Sequence, residues 1–399
     1  MSSSKHRAGR HFLQIPGPSN VPDSILRAMS QAIVDHRGPD FPNLTFGILD
    51  QLKPIFNTSY PIIIYPSSGT GAWEAAIVNC LSSGDKVLAF ETGWFATLWK
   101  TMAQKLGIEV EWVEGDWRHG VDPAVVEDRL KLDGSHSIKA ICVVHNEPST
   151  GATSRIGEIR QAIDAANHPA LYLVDTISSL ACVDYRHDEW KVDVTVSGSQ
   201  KGLMLPPGLG FNAVSEKALE AARTATSNVS YWSWQDMIEN NKNGVFPYTP
   251  ATNLLYGLKE ALRLLHTEGL DNVYARHARL AEATRIAVEA WGLENLCLVP
   301  EEFSNSLTAV VMPDGHDADA LRNVILVNFD MSLGTGLGKV KGKIFRIGHL
   351  GDFNELMLTG TLSGVEMGLE IAGVPFNKGG INAAMDFLAQ NYITKIRLL

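Results

Sequence analysis

Between residues 60 and 215, short apolar runs alternate with stretches whose apolar positions recur every three or four residues. The runs at 62–65, 87–90, 108–113, 140–145, 171–175 and 192–197 read as strands, being short, rich in branched side chains and bounded by turn residues. Helical spacing fills the intervals at 72–81, 95–106, 123–130 and 156–166. This alternation predicts an α/β layer structure with a mostly parallel sheet. Segment 208–215 reads as one more strand, with an antiparallel direction left open, which makes the sheet seven-stranded. In such sheets a ligand sits beyond the carboxyl ends of the strands.

Past residue 250 the rhythm changes. Long helical patterns cover 252–266 and 273–291. They are followed by a strand at 306–312, a helix at 318–329, a strand at 343–348 and a helix at 355–371. This is the pattern of a smaller C-terminal α+β domain. The expected division is an N-terminal arm over 1–20, mobile in its first eleven residues, a large domain over 21–270 and a small domain over 271–399. Within the arm, Pro16, Pro18 and Pro22 restrict φ and make 15–22 a rigid loop.

The composition is that of a globular protein: 399 residues, 45% hydrophobic and 20% charged. A net charge of −10 argues against nucleic acid as a partner. No apolar run has the length of a membrane span, so no membrane association is expected. The polar start is not a secretory signal, and the end, residues 393–399, is not a clear peroxisomal one. Cys80, Cys142, Cys182 and Cys297 form no C-x-x-C pair, which fits reduced thiols in a cytoplasmic protein. The twelve histidines show no metal-ligand spacing, so no metal is expected.

Two strands end in reactive groups. Leu171-Tyr-Leu-Val-Asp175 closes on an acid, and Val194-Thr-Val-Ser-Gly-Ser-Gln-Lys201 runs into a lysine. A lysine amine can form a Schiff base with the aldehyde of pyridoxal phosphate, and an aspartate can keep the pyridine nitrogen protonated. Pro66-Ser-Ser-Gly-Thr-Gly71 lies between a strand and a helix, where free N–H groups and hydroxyls can cradle a phosphate. An ordinary capped turn explains the same residues. The spacing does not fit a dinucleotide fold, since Glu74 stands where a third small residue is wanted, and no P-loop lysine follows. His145-Asn-Glu-Pro-Ser-Thr-Gly151 follows another strand, and Phe95 could stack on a flat ring or belong to the core. Arg346 lies inside an apolar strand, where a guanidinium suits a carboxylate. Gly348 and Gly351 nearby suggest close packing there.

In these motifs the chain resembles the class V, fold-type I aminotransferases that depend on pyridoxal phosphate, particularly the serine–glyoxylate and alanine–glyoxylate group. The resemblance spans nearly the whole chain and is most specific at Ser197–Gly202, Leu173–Asp175, Ser68–Gly71 and Phe345–Gly348. It implies transfer of an amino group from a small amino acid to glyoxylate. Serine is the first expectation, with aspartate or alanine as alternatives.

The resemblance also implies roles. Lys201 and Asp175 would be catalytic. Ser68, Gly69, Thr70, Gly71, Phe95, Ser149, Thr150, Ser199 and Gln200 would contact the cofactor, with Phe246 and Thr249 reaching it from the other subunit of a homodimer. Arg346, Asn20 and Arg37 would contact the substrate. Pro148 stands where relatives carry a hydroxyl, whose work would pass to Ser149 or Thr150 or be missing here. Two rival readings are a cysteine desulfurase, which needs a nucleophilic cysteine such as Cys297 on a mobile loop, and a non-catalytic protein of the same fold.

Overall fold

The computed structural model describes residues 8–391. Its centre is a seven-stranded sheet in the order Ile62–Tyr65, Gly210–Val214, Val194–Gly198, Leu171–Asp175, Ile138–Val144, Lys86–Phe90, Glu109–Val113. Gly210–Val214 runs antiparallel to both neighbours, and every other pairing is parallel. The inner strands are buried along their length, as a sheet covered on both faces requires. Strand boundaries shift by one or two residues from the apolar runs. Ile138–Val144 begins earlier than expected because the exposed Lys139 interrupts the apolar pattern without interrupting the strand.

The second sheet has five strands in the order Phe12–Gln14, Met331–Thr335, Ile344–Gly348, Leu307–Val311, Glu294–Asn295. Of the segment read as an arm, residues 1–7 lie outside the described residues, as does the terminus at 392–399. Phe12–Gln14 pairs in parallel with Met331–Ser332–Leu333 at the edge of the small sheet. The chain then crosses to the large sheet through the 15–22 loop, and the helix Asp23–Met29 begins beyond it. One apolar core gathers residues from Ile25 to Val273, and a second gathers residues from Leu280 to Leu388.

Three features were not visible in the pattern. Phe41–Phe56 is a helix despite Pro42 and Pro54. Pro42 sits in the first turn, where its missing N–H is not needed. Leu44, Ile48, Leu52 and Ile55 form the buried face. Met331–Thr335 is a strand between Phe12–Gln14 and Ile344–Gly348, and Phe12–Gln14 is one only because it finds that edge across most of the chain. Among the described residues no helix is long and apolar enough to cross a membrane.

Candidate active site

Leu171–Asp175 and Val194–Gly198 are neighbours in parallel register, with Asp175 opposite Val196. Their carboxyl ends therefore open on one side, and both reactive groups face one cavity of about 220 Å³. Asp175, Gln200 and Lys201 line it from the strand ends. Ser68, Gly69, Thr70 and Trp73 line it from the start of the helix Gly69–Cys80. Phe95 and Pro148, with Gly17 and Pro18 of the N-terminal loop, complete the part that concerns the chemistry.

Asp175 is buried. Its Oδ1 accepts from the Ile177 N–H at 2.7 Å and its Oδ2 from the Trp73 indole N–H at 3.1 Å. Burial pushes the carboxyl up to about 7, against the pull of these two donors and of Lys201, and the nearby Glu147 carboxylate adds to the rise. A cationic ring nitrogen is the partner such a carboxylate lacks. Trp73 was not foreseen in this role, because a tryptophan on a helix reads as core. The available signal was spacing: it lies one turn beyond Gly69 and Thr70, on the same helix face.

The Lys201 amine is buried and donates to the carbonyl of Pro16. Burial and the Arg346 charge push the amine down to about 8, with Asp175 opposing. A lysine so placed gives up its proton more readily than one in water, which a nucleophile or proton acceptor needs. The N-terminal loop holds the lysine from both sides. The Ser19 hydroxyl donates to the Lys201 carbonyl at 2.9 Å, and the Ser19 N–H donates to the Gln200 carbonyl at 3.0 Å.

The helix Gly69–Cys80 has no side-chain cap, and its first internal bond runs from the Ala72 N–H to the Ser68 carbonyl. Among the described residues the N–H groups of Gly69, Thr70 and Gly71 have no partner, and the helix dipole adds a positive field at that point. The Gln200 side-chain oxygen is buried without a hydrogen bond, and a Cβ on Gly198 would lie 3.2 Å from it and 3.3 Å from the Gly69 nitrogen. A Cβ on Gly69 would lie 2.3 Å from the Ile177 side chain, so glycine lets the helix start this close to the Asp175 turn. The donors, the acid and the amine fit a flat cationic ring carrying a phosphate and an aldehyde.

Arg346 lies buried on Ile344–Gly348, between Met331–Thr335 and Leu307–Val311, so it does not face water from a sheet edge. Its Nε donates to the Thr335 carbonyl at 2.8 Å and its Nη1 to the Pro148 carbonyl at 2.5 Å. Nη2 has no hydrogen bond among the described residues. Arg346 thus stands behind Pro148, close enough for its charge to depress Lys201. The close packing inferred from Gly348 and Gly351 is present. A Cβ on Gly348 would lie 2.1 Å from the Ile15 carbonyl, and one on Gly351 would lie 3.1 Å from Ser19.

Several expected residues are not brought to the cavity. The Ser149 hydroxyl is spent away from the cavity, donating to Glu147 at 2.6 Å and accepting from the Trp94 N–H at 2.8 Å. The Thr150 hydroxyl donates to the carbonyl of Thr92 at 3.3 Å. Ser199 donates to the Pro206 carbonyl and accepts from the Leu209 N–H. Gly71 packs against Ser67 and Trp232, where a Cβ would meet them at 2.0 and 2.8 Å. Asn20 donates to the Leu13 carbonyl, and Arg37 is exposed beside Asp35. Phe246 packs edge-on to Phe41 in the large core, and Thr249 is exposed. The four cysteines are buried and unpaired, and burial pushes the Cys297 thiol up to about 11, far from a reactive thiolate.

Residues 11–334 match the family model described as aminotransferase class-V. A serine–glyoxylate aminotransferase of Methylorubrum extorquens is 49% identical, with 98% of each chain covered. An L-aspartate–glyoxylate aminotransferase of Paracoccus denitrificans is 42% identical, covering 94% of this chain and 96% of that protein. The crystal structure of pyridoxamine–pyruvate aminotransferase from Mesorhizobium loti superposes with a TM-score of 0.90 at 28% identity, covering 97% and 99% of the two chains. The chain belongs to the class-V aminotransferases, enzymes that work with pyridoxal phosphate.

Proposed function

We propose that the protein transfers the amino group of a small L-amino acid, serine before aspartate or alanine, to glyoxylate, giving glycine and a 2-oxo acid. One observation carries the reading: the Lys201 amine and the Asp175 carboxyl face a single cavity that is also lined by Gly69 and Thr70, whose N–H groups are unpaired among the described residues.

Bound there, pyridoxal phosphate supplies an electron sink for charge that develops at the substrate Cα. Gly69 and Thr70 would hold the phosphate through backbone N–H groups, with the Thr70 hydroxyl and the Gln200 amide beside them. Asp175 would hold the proton of the ring nitrogen, oriented by Trp73 and Ile177. Phe95 would cover the ring. Lys201 Nζ would accept the proton leaving the donor Cα and return one when glyoxylate is aminated. To do so it must leave the Pro16 carbonyl. Arg346 would present Nη2 to the donor carboxylate.

Serine is favoured by the 49% identical relative and by the lining itself. Among the described residues, Lys201 is the one lysine or arginine that lines the cavity, so no second cation waits for a side-chain carboxylate. We further propose a homodimer, in which the exposed Thr249 meets the partner's cavity. Cytoplasmic residence is supported by four reduced cysteines.

The test is the visible spectrum of the purified protein with serine, then aspartate, added without acceptor. Conversion of the cofactor band by serine at the lower concentration supports the reading. A protein that binds no pyridoxal phosphate, or a band that neither donor changes, overturns it.

A further inference from the structure

The turn Glu147–Pro148–Ser149 has a buried acid with no role in the scheme above. Glu147 is fully buried at the end of the short hairpin Asn146–Glu147 with Ala152–Thr153. Its Oε1 accepts from the Ser149 hydroxyl at 2.6 Å, the Ser149 N–H at 3.0 Å and the Phe95 N–H at 3.4 Å. Its Oε2 accepts from the Ala96 N–H at 3.1 Å. The Ser149 hydroxyl in turn accepts from the Trp94 N–H.

The helix Trp94–Lys105 has glycine at its N-cap, no side-chain cap of its own and no acid in its first turn. The usual local devices for a helix start are missing. The 147–149 turn supplies them from a distant part of the chain, satisfying the first three N–H groups of the helix. The approach is close: a Cβ on Gly93 would lie 2.4 Å from both the Glu147 Cγ and the Ser149 hydroxyl. Phe95, the second residue of this helix, lines the cavity, and so does Pro148. Arg346 grips the same turn from the small domain through the Pro148 carbonyl.

We propose that Glu147 is a positioning residue: by capping the Phe95 helix in trans it sets the Phe95 ring over the cofactor and holds the turn that seats Arg346. This rests on the cofactor reading above. The buried charge also supports Arg346 as a cation and raises the proton affinity of Asp175, so both of these groups answer to it. Glutamine cannot replace it, because in either orientation its amide nitrogen would face a backbone N–H donor, that of Ala96 or those of Ser149 and Phe95.

The experiment is a double-mutant cycle on the full-length protein, stripped of cofactor and retitrated with pyridoxal 5′-phosphate. Affinity is read from absorbance, and the bound ring from its visible circular dichroism. Glu147→Gln and Phe95→Ala should each weaken binding about tenfold. The double variant should be no weaker than the worse single one, because both changes remove the same ring contact. The visible dichroism of Glu147→Gln should fall while the far-ultraviolet spectrum stays as in the wild type. Fully additive losses, or wild-type affinity and dichroism in Glu147→Gln, overturn the proposal. If Glu147→Gln gives no folded protein, Ser149→Ala, which removes the Trp94 cap and one bond to Glu147, carries the same cycle with the same criteria. A wild-type protein that binds no cofactor overturns the underlying reading instead.

Discussion

Gly17 and Lys201 occupy the same space: a Cβ on Gly17 would lie 2.4 Å from the Lys201 Cδ and 2.5 Å from its Nζ. Gly17 also has φ of +97°, which a side chain rarely adopts. The N-terminal loop passes directly over the reactive amine, and only a residue without a side chain lets it do so.

Gly17→Ala therefore tests whether the loop sets the amine's position. The backbone cost is about 1–2 kcal/mol, visible as a modest fall in melting temperature. The larger effect falls on the amine, which must move aside. A displacement of this kind should lower kcat about a hundredfold. Steady-state kinetics with serine and glyoxylate, set beside thermal unfolding, check the split. A variant with wild-type kcat would show that the loop is only a cover.

Trp73→Phe tests the support of Asp175. Phenylalanine keeps most of the stack on Trp99, whose ring lies 5.8 Å away at an interplanar angle of 12°. It removes the indole N–H that reaches Asp175. A lost hydrogen bond to a buried charged group costs about 1.5–3 kcal/mol, which corresponds to at least about a tenfold loss in cofactor affinity or kcat/KM. Retitration with pyridoxal phosphate measures it. Unchanged affinity and kcat/KM would mean that the Ile177 N–H alone orients the acid.

Much of this site could be read in the sequence, because strand ends announce themselves. Asp175 and Lys201 each follow an apolar run, and parallel register does the rest. What could not be read is which polar groups a turn spends on itself. Ser149, Thr150 and Ser199 have the residue type of ligand contacts, yet their hydroxyls are spent on Glu147, on the Thr92 carbonyl and on the Pro206 carbonyl. Nothing in a hydroxyl's identity says where it points. Trp73 failed in the opposite sense, since an aromatic on a helix looks like core until its N–H is seen to have a partner. The strand Phe12–Gln14 is too short to show a period, and it exists because Met331–Leu333 offers an edge.

Arg346→Lys tests the carboxylate role. The guanidinium already uses two nitrogens on the carbonyls of Thr335 and Pro148, which fixes its plane and leaves Nη2 to a ligand. A lysine amine cannot hold both carbonyls and a carboxylate in the same geometry. KM for serine should rise at least about tenfold, with a smaller fall in kcat. An unchanged KM would place the substrate carboxylate elsewhere.

Lys201 should leave a signature in stability as well as in turnover. Lys201→Ala should abolish turnover, and Lys201→Met should change how the cofactor-free protein responds to pH. Burial lowers the amine from 10.5 to about 8, so the folded state disfavours the charged form. Below pH 8 the amine is protonated in both states, and the folded protein carries the full penalty. Between pH 8 and 10.5 the folded state releases its proton first. Stability then rises by about 1.4 kcal/mol per pH unit, about 3 kcal/mol in all. Methionine cannot titrate, so its variant lacks this rise. Denaturant unfolding of both proteins across pH 7–10.5 gives the difference directly. The variant should be the more stable at pH 7 relative to its standing at pH 10.5. Parallel stability curves would show that the Lys201 amine is not depressed, and its nucleophilicity would then need another source.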